Sequence, residues 1–150
     1  MNRARKVGAV IAVMLAAWSA RPASAQTAGR AFEPYEAIRA ALAADSLKGV
    51  GEQAGLLAPI AAELAGADAK QASERLANAA DLKAAREAFG VLSKALVPKL
   101  REANLPDVYA FECSMVKLPW VQRGDKVQNP YLGKSMPTCG TPMKGKFVDR

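Results

Sequence analysis

The sequence contains no histidine, and only two of its 150 residues are cysteine. Without imidazole the chain lacks the commonest general base, the Ser-His-Asp and Cys-His nucleophile arrangements, and every His-containing zinc site. Two cysteines cannot make a four-cysteine zinc site or hold a common iron–sulfur cluster alone. Long apolar runs are missing too. The stretch from Val7 to Ala17 is well short of the ~20 residues that a helix needs to cross a bilayer, so no stable membrane insertion is expected. No base, nucleophile pair or cofactor motif points to an enzyme. A disulfide, a soft metal site built from Cys and Met, or a binding or structural module survives these exclusions.

The formal charge of +7 is concentrated at the two ends. Residues 1–25 hold Arg3, Arg5, Lys6 and Arg21 and no acid, which leaves 17 basic against 14 acidic residues in the remainder. That excess is too small to make nucleic acid the expected partner. The basic start, the short apolar run and the small residues of Ala23-Ser24-Ala25 form a signal peptide pattern. They predict cleavage after Ala25, export to the periplasm and a mature chain beginning at Gln26. An oxidising compartment follows, where paired cysteines commonly bridge.

Residues 26–30 are small and polar, and 26–32 read as a disordered lead. From 33 to 106 the chain reads as a helical bundle. Glu33-Pro34 fits a helix start, with proline at the first helical position. Tyr35, Ile38 and Leu42 then recur on one face. Leu47, Val50, Ala54, Leu57, Ala61 and Leu64 mark a second helix that Pro59 would kink and Gly66 would end. A short third helix covers Ala69 to Ala79. Asp81 caps a fourth, whose apolar face is Leu82, Ala85, Phe89, Leu92, Leu96 and Leu100, with Pro98 expected to bend its last turns. The expected fold is all-α: a small antiparallel up-down bundle of about four helices, followed by a loop-rich C-terminal segment with at most short strands.

That segment, residues 107–141, is expected to pack on the bundle, with 142–150 as a basic tail. Val108 to Phe111 and Trp120 to Gln122 have strand-like composition, but Pro119, Pro130, Pro137 and Pro142 and several glycines interrupt the segment. All sulfur outside the leader lies between Cys113 and Met143. It comes in two pairs, Cys113-Ser114-Met115 and Met136-Pro137-Thr138-Cys139, with Met143 four residues further on. Thiolate and thioether are soft donors suited to Cu(I) or Ag(I). Trp120, between the pairs, has a face that could shield such an ion. The competing reading is a Cys113–Cys139 disulfide closing a loop of about 26 residues, worth roughly 3.5 kcal/mol in the loop-entropy model. From Cys113 onward seven basic residues face two acidic ones. The excess suits a solvated tail or docking on an acidic partner, and a thiol pKa lowered by nearby cations.

The run Asn129-Pro130-Tyr131-Leu132-Gly133-Lys134-Ser135-Met136-Pro137-Thr138-Cys139-Gly140 resembles the N-P-Y-x-G-x-x-M-x-x-C-G signature of an exported bacterial domain of unknown function. That domain is found alone or fused to periplasmic adaptor subunits of copper/silver efflux pumps. Cys113-Ser114-Met115 and Trp120 occupy the places of the family's Cys-Pro-Met and Trp. Tyr35 to Ile38, Arg86 to Phe89 and Leu92-Ser93 match its helical half. Ser114 departs from the family proline, and the interval from Met115 to Trp120 is short. The resemblance implies a non-catalytic periplasmic protein linked to heavy-metal efflux, with Cys113, Met115, Met136 and Cys139 as metal ligands and Met143 a weaker candidate. Its implied partner is an efflux adaptor or another envelope protein. The alternative is a non-catalytic interaction module held by a structural Cys113–Cys139 disulfide.

Overall fold

The computed structural model describes residues 22–144, so the basic and apolar parts of the leader and residues 145–150 of the basic tail lie outside the described residues. Four helices come first: α1 (Ala23–Ala43), α2 (Val50–Ala65), α3 (Ala67–Ala77) and α4 (Leu82–Glu102). Strands β1 (Val108–Cys113) and β2 (Leu118–Arg123) follow, then a single 3-10 turn at Gly133–Ser135 and a two-residue strand β3 (Thr141–Pro142). Consecutive helices pack against one another, α4 also closes on α1, and β2 lies on α4.

The all-α expectation is therefore wrong. β1 pairs antiparallel with β2 on one side and with β3 on the other, giving a three-stranded sheet in the order β2-β1-β3. The strand-like stretches at Val108 and Trp120 were visible in the sequence, but Pro119 argued against joining them. Here it sits within β2, opposite Glu112. Proline is tolerated there because β2 is an edge strand with only one ladder to satisfy. A turn over Ser114 to Lys117 links the strands, closed by the Lys117 N–H on the Cys113 carbonyl at 2.8 Å.

The expected lead over 26–32 and the helix start at Glu33-Pro34 are also overturned. α1 begins ten residues earlier, at Ala23, and Pro34 lies inside it. An interior proline costs a helix about 3 kcal/mol. Burial of Thr27, Ala28, Ala31 and Phe32 opposes that cost, with a large side chain such as Phe32 contributing about 1.5–3 kcal/mol. Polar contacts add to it. Thr27 donates to Glu63 at 2.7 Å, Arg123 pairs with Glu33 at 2.6 Å, and the Arg123 guanidinium lies 5.2 Å from the centre of the Phe32 ring. The expected cleavage after Ala25 would fall within the first turn of this helix.

The other helices follow their sequence signals more closely. Gly66, with φ +88°, is the junction between α2 and α3. Asp81 caps α4 by accepting the Ala84 N–H at 2.8 Å, and Lys99 and Arg101 occupy its last turn, where cations complement the helix dipole. Pro59 and Pro98 both lie inside helices that continue past them.

Much of the bundle core is alanine and leucine, and a chain of aromatic rings joins it to the sheet. Tyr35 of α1 meets Phe89 of α4 at 5.0 Å between ring centres, and Phe89 meets Tyr131 at 5.8 Å. Tyr131 meets the edge of Trp120 in β2 at 6.0 Å, and Trp120 stacks on Phe111 in β1 at 5.5 Å. The Tyr35 and Ser93 hydroxyls are 2.7 Å apart. Tyr131 donates to the Pro119 carbonyl at 2.5 Å. Burial holds the Tyr35 hydroxyl far above its ordinary pKa, and the same cause raises Tyr131.

Removing the central ring by Phe89→Ala should destabilise the fold by about 3–5 kcal/mol, read from urea denaturation midpoints. A loss under about 1 kcal/mol would show that the rings do not couple bundle and sheet. Because both tyrosines stay neutral when folded but ionise near pH 10 when unfolded, stability should fall as pH rises above about 10. Tyr35→Phe should flatten that alkaline decline, measured by denaturation at stepped pH.

Candidate functional site

Cys113 is the last residue of β1 and has no exposed surface. Cys139 lies in the loop before β3 and is partly exposed. The hairpin and the loop bring the two thiols face to face, with the sulfur atoms 3.8 Å apart. Both cysteines are free thiols. The separation is a thiol–thiol contact, well beyond the S–S bond of about 2.05 Å. Although the sequence offered both sulfurs, nothing in a spacing of 26 residues shows that they meet.

Asn129 brings them together. Its side chain is fully buried. Its Oδ1 accepts the backbone N–H groups of Tyr131 at 2.7 Å and Leu132 at 3.0 Å, which winds the chain into a tight turn at Pro130. Its Nδ2 donates to the Cys139 carbonyl, and its backbone N–H donates to the Pro137 carbonyl at 2.8 Å. The Asn129 side chain also favours the Cys113 thiolate, so one amide bears on both halves of the pair.

The rest of the Asn-Pro-Tyr-x-Gly stretch clamps that loop to the bundle. Arg86 of α4 donates to the Pro130 carbonyl at 2.9 Å and to the Leu42 carbonyl at 2.9 Å, and it pairs with Asp45 at 2.5 Å. The Arg86 guanidinium holds the Asp45 carboxyl below the usual carboxylate range. Gly133, with φ +53°, passes so close that a Cβ there would overlap both Asp45 and Arg86. Gly140 lies flat against Trp120 and Val127, where a Cβ would collide with both. Buried Arg39 reaches the Gln128 carbonyl at 3.2 Å while pairing with Glu36 at 2.7 Å.

Burial pushes the Cys113 thiol up, but hydrogen bonds outweigh it. The backbone groups of Val116 and Met115, the Asn129 side chain and the Cys139 thiol all favour the thiolate and leave its pKa below the ordinary value. These are neutral donors, not the lysines of the basic C-terminal segment.

The methionines stand apart from this arrangement. Met115 is in the β1–β2 turn with 65% of its surface exposed, and Met136 is 43% exposed, with its carbonyl accepting the Cys139 N–H at 3.2 Å. Met143 packs partly buried against the core, and its N–H bonds Ala110. Trp120 cannot shield an ion with an open face, since it is fully buried against Phe111 and Tyr131 and its indole N–H goes to Gln122 at 3.0 Å.

Taking a metal–sulfur length of about 2.3 Å, sulfurs 3.8 Å apart would subtend an angle of about 111° at an ion between them. That angle is bent and leaves room for a third donor. No group of three His, Cys, Asp or Glu side chains that could hold a metal exists among the described residues. The donor set is therefore two thiols, with the exposed thioethers of Met115 and Met136 adjacent in the chain. No family model, curated protein or solved structure matches this chain.

Asn129 opens the Asn-Pro-Tyr stretch, and its position before Pro130 marks it as a turn former, but its amide is not a soft-metal donor. Replacing it by Ala leaves the Cys139 carbonyl and two N–H groups without their partner. Asn129→Ala should cost at least about 2 kcal/mol of stability and raise the Cys113 pKa. Urea denaturation and thiolate absorbance against pH test both, and an unchanged titration would remove Asn129 from the site.

Proposed function

We propose that this protein captures a soft monovalent cation, Cu(I) or Ag(I), between Cys113 and Cys139, as a non-catalytic periplasmic component of heavy-metal efflux or resistance. One observation carries the reading: two free thiols 3.8 Å apart, one of them surrounded by donors that favour its thiolate. Thiolate, not thiol, is the metal ligand. Met115 and Met136 would complete the coordination by rotating inward from the surface, and Met143 is a weaker candidate. An exposed thioether beside a half-exposed thiol also suits transfer of the ion to a partner, an efflux adaptor or another envelope protein, by stepwise ligand exchange.

The same sulfur contact supports a second reading, in which the pair closes into a structural disulfide and the bundle serves as an interaction module. The two readings differ in what reduced protein does. Titrated with Cu(I) against a competing chelator, reduced protein should bind one ion per chain. Cys139→Ser should abolish binding, and Asn129→Ala should weaken it by about 10–100-fold through lost orientation of the ligand. Absence of Cu(I) binding by fully reduced protein would sink the metal reading. A large fall in melting temperature on reduction would favour the disulfide.

A further inference from the structure

The two thiols are close but unequal. Cys113 ends a strand paired along its length with β2, and its side chain has no exposed surface. Cys139 is partly exposed and lies in a loop turn, held through its backbone by Asn129 and Met136. An incoming reagent can therefore reach only one sulfur. The other waits behind it, 3.8 Å away, close to the about 3–3.5 Å from which reacting atoms proceed.

We propose that Cys113 and Cys139 form a thiol–disulfide exchange pair for low-molecular-weight disulfides of the glutathione type, with Cys139 as the entry sulfur and Cys113 as the resolving thiol. This goes beyond metal capture and does not depend on it. In the first step the Cys139 thiolate attacks one sulfur of the small disulfide. The Cys139–S bond forms, the S–S bond of the reagent breaks, and its electron pair leaves on the first small thiolate. In the second step the Cys113 thiolate attacks the Cys139 sulfur of this mixed disulfide. The intramolecular bond forms, and the second small thiolate departs. Two electrons pass from the protein to the reagent, and the two small thiolates take up the protons that the two cysteines gave up. An excess of small thiol runs the same steps backwards, entering again at Cys139 and displacing Cys113.

Closing the bond requires the sulfurs to approach from 3.8 Å to about 2.05 Å. Cys113 is anchored in the sheet, so Cys139 must supply most of that movement.

The experiment uses reduced, metal-free protein with a chelator present, so its outcome is independent of Cu(I) affinity. Brief treatment of wild type with iodoacetamide, followed by peptide mapping, should modify Cys139 at least about tenfold faster than Cys113, as accessibility dictates. With oxidised glutathione, wild type should pass to the intramolecular disulfide without accumulating adduct. Cys113→Ser and Cys113→Ala should each stop at a stable glutathione adduct on Cys139, whereas Cys139→Ser should stay unmodified over the same period. Circular dichroism checks that each variant is folded, and the wild-type labelling order stands without any variant. Equal labelling of the two cysteines, or a lasting adduct on wild type, would overturn the proposal.

Discussion

The Asn129 side chain uses both ends of its amide inside the protein. The oxygen end holds two backbone N–H groups and sets the turn at Pro130. The nitrogen end grips the carbonyl of Cys139. A buried amide left without partners is expensive, so the loop has one good way to fold around this residue. The placement of Cys139 beside Cys113 depends on where this amide sits, and the same amide is one of the groups that lower the Cys113 pKa.

The bundle supplies the platform that this loop needs. Alanine-rich helices pack closely but bury little area per residue, and a thin core of that kind gains from a second layer. The sheet and loop provide that layer through Trp120, Phe111 and Tyr131, whose rings continue the line begun by Tyr35 and Phe89. Arg86 acts from the same helix face as Phe89, tying the end of α1 and the Asn-Pro-Tyr turn to one guanidinium. Bundle and sulfur loop are thus joined through α4.

Local signals in the sequence were read well where they were not contested by tertiary contacts. Asp81 caps α4 and Gly66 separates α2 from α3, as their chemistry suggests. Pro34 misled, because burial of Ala28, Ala31 and Phe32 extends α1 through a residue that usually opens a helix. Pro119 misled in the same way, because an edge strand tolerates what a central strand would not. The four sulfur residues were legible as a set, but their inequality was not. Contact between Cys113 and Cys139 is a long-range outcome of the Asn129 turn, and the glycines at 133 and 140 have the composition of breaks but are points of close packing.

The Tyr131 hydroxyl that reaches β2 has one more effect. A sheet edge normally offers a row of unpaired backbone groups that another chain can extend. On β2, Pro119 has no N–H and its carbonyl is taken by Tyr131. The opposite edge is β3, only two residues long. At the end of the sheet that carries Cys113, both edges therefore offer a neighbouring molecule only a shortened template for strand addition.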